Sequence, residues 1–245
     1  AVRALNRLEM GGEAMRRALN ELAEADPDWL KTIALPEWYS RYAQRLDNIR
    51  LLKEAAKRDA LIETIGRDGL NLMQTLLNAP EKQALRELPG VEILRQIWVQ
   101  QYWLDYPQGD AQFHIHLRAD ENQPAADKRI QSPYDVDCRY CKKRATAWVG
   151  YKVHLTETCE DDTVHLITNV ETASAVEQDV SATERIHASL AAKDLLPDEH
   201  LLDAGYVDAE LLVDAKANYG MVICGPVKKD VRWQANSEDG LGLSE

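Results

Sequence analysis

Asp203 is the carboxylate whose placement invites a chemical reading. In "EHLLDAGYVDAELLVDA", residues 199–215, the apolar pair Leu201-Leu202 ends on Asp203, and Ala204-Gly205-Tyr206 and an amphipathic run follow. A short strand that carries an acid at its carboxyl tip, just ahead of a glycine turn, can present a hard oxygen ligand to a divalent cation. The same acid could instead cap the helix that follows.

Lys142, Lys143, Arg144 and Lys152 form the second group, part of a basic stretch. Residues 128–152 hold seven cations against two anions, a balance of +5 in a chain of net charge −12, which leaves −17 for the rest. Such a stripe on an acidic body can contact phosphates, or it can be a solvated loop that balances nearby acids. Asp135, in "SPYD", could approach the same site or close a turn. Cys138 and Cys141 make a single C-x-x-C with no second pair, short of the four ligands of a structural zinc site. His114 and His116 share one face of a short alternating run, without a third ligand nearby. His154 and His165 read as surface residues of a strand pair.

These residues must be held by two stretches of different patterning. Residues 1 to about 104 read as helix throughout. Leu5, Leu8, Met15, Leu19 and Leu22 form one apolar stripe, with Gly12 filling a slot, and Asp26-Pro27 ends it. Pro36 starts a helix with Trp38, Tyr42 and Leu46 inward. A run from about Lys53 is expected to break at Gly66-Arg67-Asp68-Gly69 and to resume through Leu70, Met73, Leu76 and Leu77. Pro80 and Pro89 open two more helices. Residues 105–131 are polar and rich in breakers, a linker. Beyond them, "WVGYKVHLTET" and "TVHLITNVET" alternate across an acidic turn as a β-hairpin. A helix capped at Asp179 or Ser181, the Asp203 strand, a helix from about Asp208 and the apolar strand "MVICGPV" complete the order. Strands alternating with helices imply parallel pairing joined to the antiparallel hairpin in one mixed sheet. Residues 228–245 read as a polar, disordered tail. The fold class is therefore α+β or α/β: an all-α region and then a mixed sheet with flanking helices. No run of 18 apolar residues is present, so no membrane span is expected. No basic-then-apolar leader opens the chain, and four irregularly spaced cysteines fit a reducing compartment.

Segment 132–227 resembles bacterial insertion-sequence transposases of the DDE class, which have an RNase H-like catalytic domain. The likeness rests on "SPYDVDCRYCKKR", "GYKVHLTET", "HLITNVETASAVEQDVSAT" and "LLPDEHLLDAGYVDAELL", four blocks in order. "AVRALNRLEMGGEAMRRALNEL" carries it more loosely into the helical half, and Gln178 stands where that family often has His. The resemblance implies DNA cutting and joining by three carboxylates holding two Mg²⁺ (or Mn²⁺) ions about 4 Å apart. It further implies terminal inverted repeats as the DNA partner, a homodimer, and a cytoplasmic, nucleoid-associated location. Asp203 corresponds to the second carboxylate, a metal ligand and catalytic residue; Asp135 lies in a family block that neighbours the site. The first Asp is expected before Ala1 and the Glu after Glu245. The all-α region would then be an insertion within an incomplete catalytic domain that lacks its first strand, leaving an open sheet edge. On this reading the chain is a fragment, inactive alone. The alternative is a non-catalytic truncated product that binds DNA ends or interferes with full-length transposase. A structure-selective nuclease on the same fold is disfavoured by the transposase blocks.

Overall fold

The structure, a computed structural model, describes residues 3–46, 54–106 and 113–226. It is an α+β protein with small sheets, divided into two compact units, Ala1–Gly150 and Tyr151–Glu245.

The first unit is built on α1 (Arg7–Ala25), opened by a reciprocal capping box between Asn6 and Glu9. The stripe read from the sequence is its buried face, where Met15, Ala18 and Leu22 have no exposed surface. Short helices α2 (Pro27–Ile33) and α3 (Pro36–Tyr42) follow, each with proline in its first turn, where the missing N–H has no helical partner to lose. Trp38, Tyr42 and Leu46 are buried, as their spacing implies.

The next helix differs from expectation. α4 (Ala55–Leu77) runs unbroken through Gly66-Arg67-Asp68-Gly69. Here the glycines serve close packing. A Cβ on Gly66 would stand 2.7 Å from Ile115 Cγ2 and 2.9 Å from Tyr102 Cε1, and one on Gly69 would stand 3.1 Å from Trp98 Cδ1. Trp98 Nε1 also donates to the Gly66 carbonyl at 2.8 Å. Asp68, between the two glycines, is buried and accepts hydrogen bonds from Arg41 and, at 2.7 Å, from the Tyr42 hydroxyl. Tertiary contacts thus outweigh the local cost of glycine in a helix, about 1 kcal/mol each.

A short α5 (Gln83–Arg86) leads to α6 (Pro89–Gln101), which packs along α1. The helical reading to residue 104 overshoots. The chain turns to β1 (Tyr102–Asp105), which pairs antiparallel with β2 (His114–Leu117), register Tyr102↔Leu117. Tyr102 (1% exposed) and Ile115 (2%) fill the space left by Gly66, so residues 105–131 contribute part of the core and are more than a connector. β3 (Arg139–Lys143) pairs antiparallel with the opening residues of β4 (Thr146–Glu157).

In the second unit, residues from Tyr151 onward in β4 pair antiparallel with β5 (Ile167–Ser174), register Tyr151↔Ser174 to Glu157↔Ile167. The polar row faces inward: His154, Asn169 and Ala173 are buried, whereas Val153, Leu155 and Val170 are exposed. α7 (Val180–Ala192) packs on β5 through Ile186 and Leu190, while Leu195 is half exposed beyond the helix end. β6 (Glu199–Leu201), α8 (Ala209–Tyr219) and β7 (Val222–Cys224) follow. β6 and β7 pair in parallel, and Gly220 ends α8 at φ 70°. The expected single mixed sheet is not formed among the described residues: β6-β7 and β3-β4-β5 are separate sheets. Each leaves an outer edge, on β6 and on β4 from Tyr151 onward, that no described strand occupies. The expected tail, 228–245, lies outside the described residues.

Candidate functional site around Asp203

Asp203 follows β6 directly. Leu202 extends the ladder by donating to the Cys224 carbonyl at 2.8 Å, and Asp203 then caps the single 3₁₀ turn Ala204–Tyr206. Its carbonyl accepts from the Tyr206 amide at 2.9 Å, and its carboxylate is exposed at the rim of a cavity of about 390 Å³. The cap of α8 is Asp208, which accepts from the Leu211 amide at 2.9 Å, so Asp203 does not cap that helix.

The turn behind Asp203 is pinned from two sides. The Thr183 hydroxyl, fully buried on α7, donates to the Tyr206 carbonyl at 2.8 Å. The Tyr206 hydroxyl lies 2.6 Å from His154 Nδ1, with the rings edge to face. Burial pushes the Tyr206 phenol up, helped by the negative charges of Asp179 and Asp203, so Tyr206 stays protonated and serves as a donor. His154 is 5% exposed, and its Nε2 is buried without a hydrogen-bond partner. It lines the cavity with Asp203 and is no surface residue; strand alternation alone gives no sign of this.

A second histidine pair sits alongside. His187 Nε2 and His200 Nδ1 are 3.1 Å apart, and both side chains are buried. Burial pulls both rings below their usual range, His187 to about 4 with a further push from His200. The Tyr219 ring meets His187 edge to face.

Lys152, read as a phosphate contact, is engaged otherwise. Its Nζ donates to the Glu177 carbonyl at 2.5 Å and to Asp179 at 2.8 Å, which fastens β4 to the start of α7. Asp179 sits at the N-cap position of α7 but makes no capping bond there. Lys142, Lys143 and Arg144 belong to the first unit, exposed at the β3–β4 turn, where Arg144 has φ 57°. Asp135 also lies in the first unit. It closes a turn by accepting from the amides of Asp137 (3.3 Å) and Cys138 (3.1 Å). Cys138 is buried, and desolvation lifts its thiol to about 11, toward the neutral form. His114 and His116 are exposed neighbours on β2.

Among the described residues, no group of three or more His, Cys, Asp and Glu side chains could hold a metal ion. The donor set therefore does not fit a two-metal centre: Asp203 is one carboxylate where such a centre needs several. Nor is any helix among these residues long and apolar enough to cross a membrane. No protein-family model, curated protein or solved structure matches the chain.

Proposed function

We propose that the chain is part of a DNA transposase of the DDE class, carrying the second carboxylate of an RNase H-like catalytic domain that is incomplete within these residues. The observation that carries the reading is Asp203. It leaves the carboxyl end of a parallel strand, is followed by a glycine turn, and stands at the rim of a cavity. That end of a strand is where open α/β sheets bind ligands. The order hairpin, helix, strand, helix, strand supports it.

Such enzymes use paired Mg²⁺ or Mn²⁺ ions to activate the attacking hydroxyl and to stabilise the leaving oxygen of a phosphodiester. The described residues do not form that cage, and the reading expects no turnover from this chain alone. The DNA partner is the transposon's terminal inverted repeat, in a homodimeric assembly in the bacterial cytoplasm. That Asp203 belongs to no metal-holding group among the described residues equally favours a second reading, a non-catalytic product that occupies DNA ends or transposase subunits.

The transposase reading requires DNA binding, and the exposed cations of the β3–β4 turn are its source. Fluorescence anisotropy with a labelled duplex across a salt series tests this. Replacing Lys142 and Lys143 by Ala and Arg144 by Gly should weaken binding. It should also flatten the slope of log K against log salt by about 2.7, since each phosphate that a side chain neutralises adds about 0.9 to that slope. Failure of the unaltered chain to bind duplex DNA at low salt overturns the transposase reading and leaves only a product that acts on transposase subunits.

A further inference from the structure

We propose that the tip of the β3–β4 ribbon enters the major groove of duplex DNA and sets Thr146 and Ala147 against thymine methyl groups on the groove floor. The inference rests on the transposase reading, which supplies the duplex. The ribbon is complete within the described residues. Its strands pair with each other from Arg139↔Gly150 to Lys143↔Thr146, across the turn Arg144–Ala145. Its root is fixed: Cys138 and Val149 are buried, and Arg139 donates to the carbonyls of Asp127 at 2.5 Å, Val136 at 2.6 Å and Cys138 at 2.9 Å. Its tip stands out, since every residue from Lys142 to Ala147 is exposed. From Val149 out to Ala145 the chain extends about 13 Å, at about 3.3 Å per residue. A major groove is about 8.5 Å deep, so the tip reaches the floor before the root meets the rim.

Width selects the groove. Two paired strands lie about 4.8 Å apart. A groove about 12 Å wide admits such a ribbon with its side chains, and a minor groove about 6 Å wide does not. The side chains suit that entry. Residues 139–150 hold four cations and no acid, which favours a polyanion as the partner. Lys142 and Lys143 are consecutive on β3 and project from opposite faces, one toward each phosphate backbone. The returning strand is small where the cations are long: Thr146 stands opposite Lys143, and Ala147 opposite Lys142. That keeps the tip thin and brings two methyl groups to its leading end. Ala and Thr methyls match the thymine C5-methyl, which the major groove displays. Arg144 holds φ 57° at the apex, a left-handed conformation that glycine adopts without strain. A long cation kept in that place adds a phosphate contact at the end that leads into the groove.

The test uses the full chain and fluorescence anisotropy with one labelled duplex in several forms of equal charge. One is unmodified. A second carries glucosylated 5-hydroxymethylcytosine for cytosine, which fills the major groove. A third has uracil for thymine, which deletes the floor methyl groups. A fourth has hypoxanthine for guanine, which alters the minor-groove edge alone. The glucosylated duplex should bind at least roughly tenfold more weakly. The uracil duplex should lose about fourfold for each methyl group buried, with an unchanged slope of log K against log salt, since the phosphate contacts remain. The hypoxanthine duplex should bind within about twofold of the unmodified one. In the protein, Thr146→Ser with Ala147→Gly, both at exposed positions, should bring the uracil penalty below about twofold with every cation kept. Equal affinity for the glucosylated duplex, equal affinity for thymine and uracil, a loss caused by hypoxanthine, or a uracil penalty that survives the double substitution would each overturn the proposal. A chain that binds the unmodified duplex without these differences sinks groove entry and leaves the transposase reading standing. A chain that binds no duplex sinks both.

Discussion

Gly66→Ala places one methyl group at a close contact within the first unit. Its carbon would lie 2.7 Å from Ile115 Cγ2 and 2.9 and 3.0 Å from two Tyr102 ring carbons, where carbon atoms normally rest about 3.5–4.0 Å apart. Neither neighbour can swing outward: Tyr102 is 1% exposed and Ile115 2%. Overpacking of this kind costs about 1–3 kcal/mol, and two immobile neighbours place the site near the top of that range. Alanine repays about 1 kcal/mol through helix propensity. The net expectation is a loss of about 2 kcal/mol, read as an earlier urea midpoint with an unchanged m-value. Gly69→Ala is the internal control. There the new methyl presses on the edge of half-buried Trp98 at 3.1 Å and meets Leu94 Cδ1 at an ordinary 3.6 Å, so the net change should be near zero. A Gly66→Ala protein more stable than the parent would refute the reasoning, because propensity would then have outweighed packing.

Other expectations follow from the second unit. Tyr206→Phe removes the hydroxyl from His154 Nδ1 and leaves a buried imidazole with neither nitrogen paired. It should cost about 1–3 kcal/mol in denaturant titration, and an unchanged midpoint would contradict the pairing. His187 is held to about 4 in the folded state against 6.5 for the free ring, so the unfolded chain binds more protons between those values. Its contribution is therefore complete above about pH 6.5 and lost as pH falls toward 4, by up to about 3 kcal/mol. His187→Gln should flatten that part of the stability–pH curve, and an unaltered curve would refute the assignment. Lys152→Met should loosen the start of α7, seen as faster amide exchange near residues 180–183, with unaltered exchange the contrary result.

Much of the local architecture was legible in the sequence. The apolar stripe of α1, the prolines that open the short helices, the β4–β5 alternation and the Asp203 strand with its turn all follow from periodicity and breaker residues. The misreadings share one cause: long-range packing that a local pattern does not encode. Gly66 and Gly69 look like a break until Tyr102, Ile115 and Trp98 are brought against them. The β1 residues continue the helical apolar pattern of α6, and only their pairing with β2 makes them a strand. Alternation identified two faces of β4 but could not say that Lys152 and His154 turn inward, because that depends on Asp179 and Tyr206, 27 and 52 positions away. The Asp203 position was readable, yet its partners were not. Separate sheets replace the expected continuous one because no described strand bridges β4 and β6.

The central claim is that the Asp203 carboxylate is a cation-holding corner of a site for DNA phosphodiesters. Paramagnetic broadening of amide signals by millimolar Mn²⁺, recorded with and without a DNA duplex, tests it most directly. The account predicts broadening of Ala204, Gly205 and Tyr206 that strengthens when DNA is added, as phosphate oxygens supply further ligands, and that disappears in Asp203→Asn. Sharp signals at those three residues in the presence of Mn²⁺ and DNA, or broadening there that survives Asp203→Asn, would contradict it.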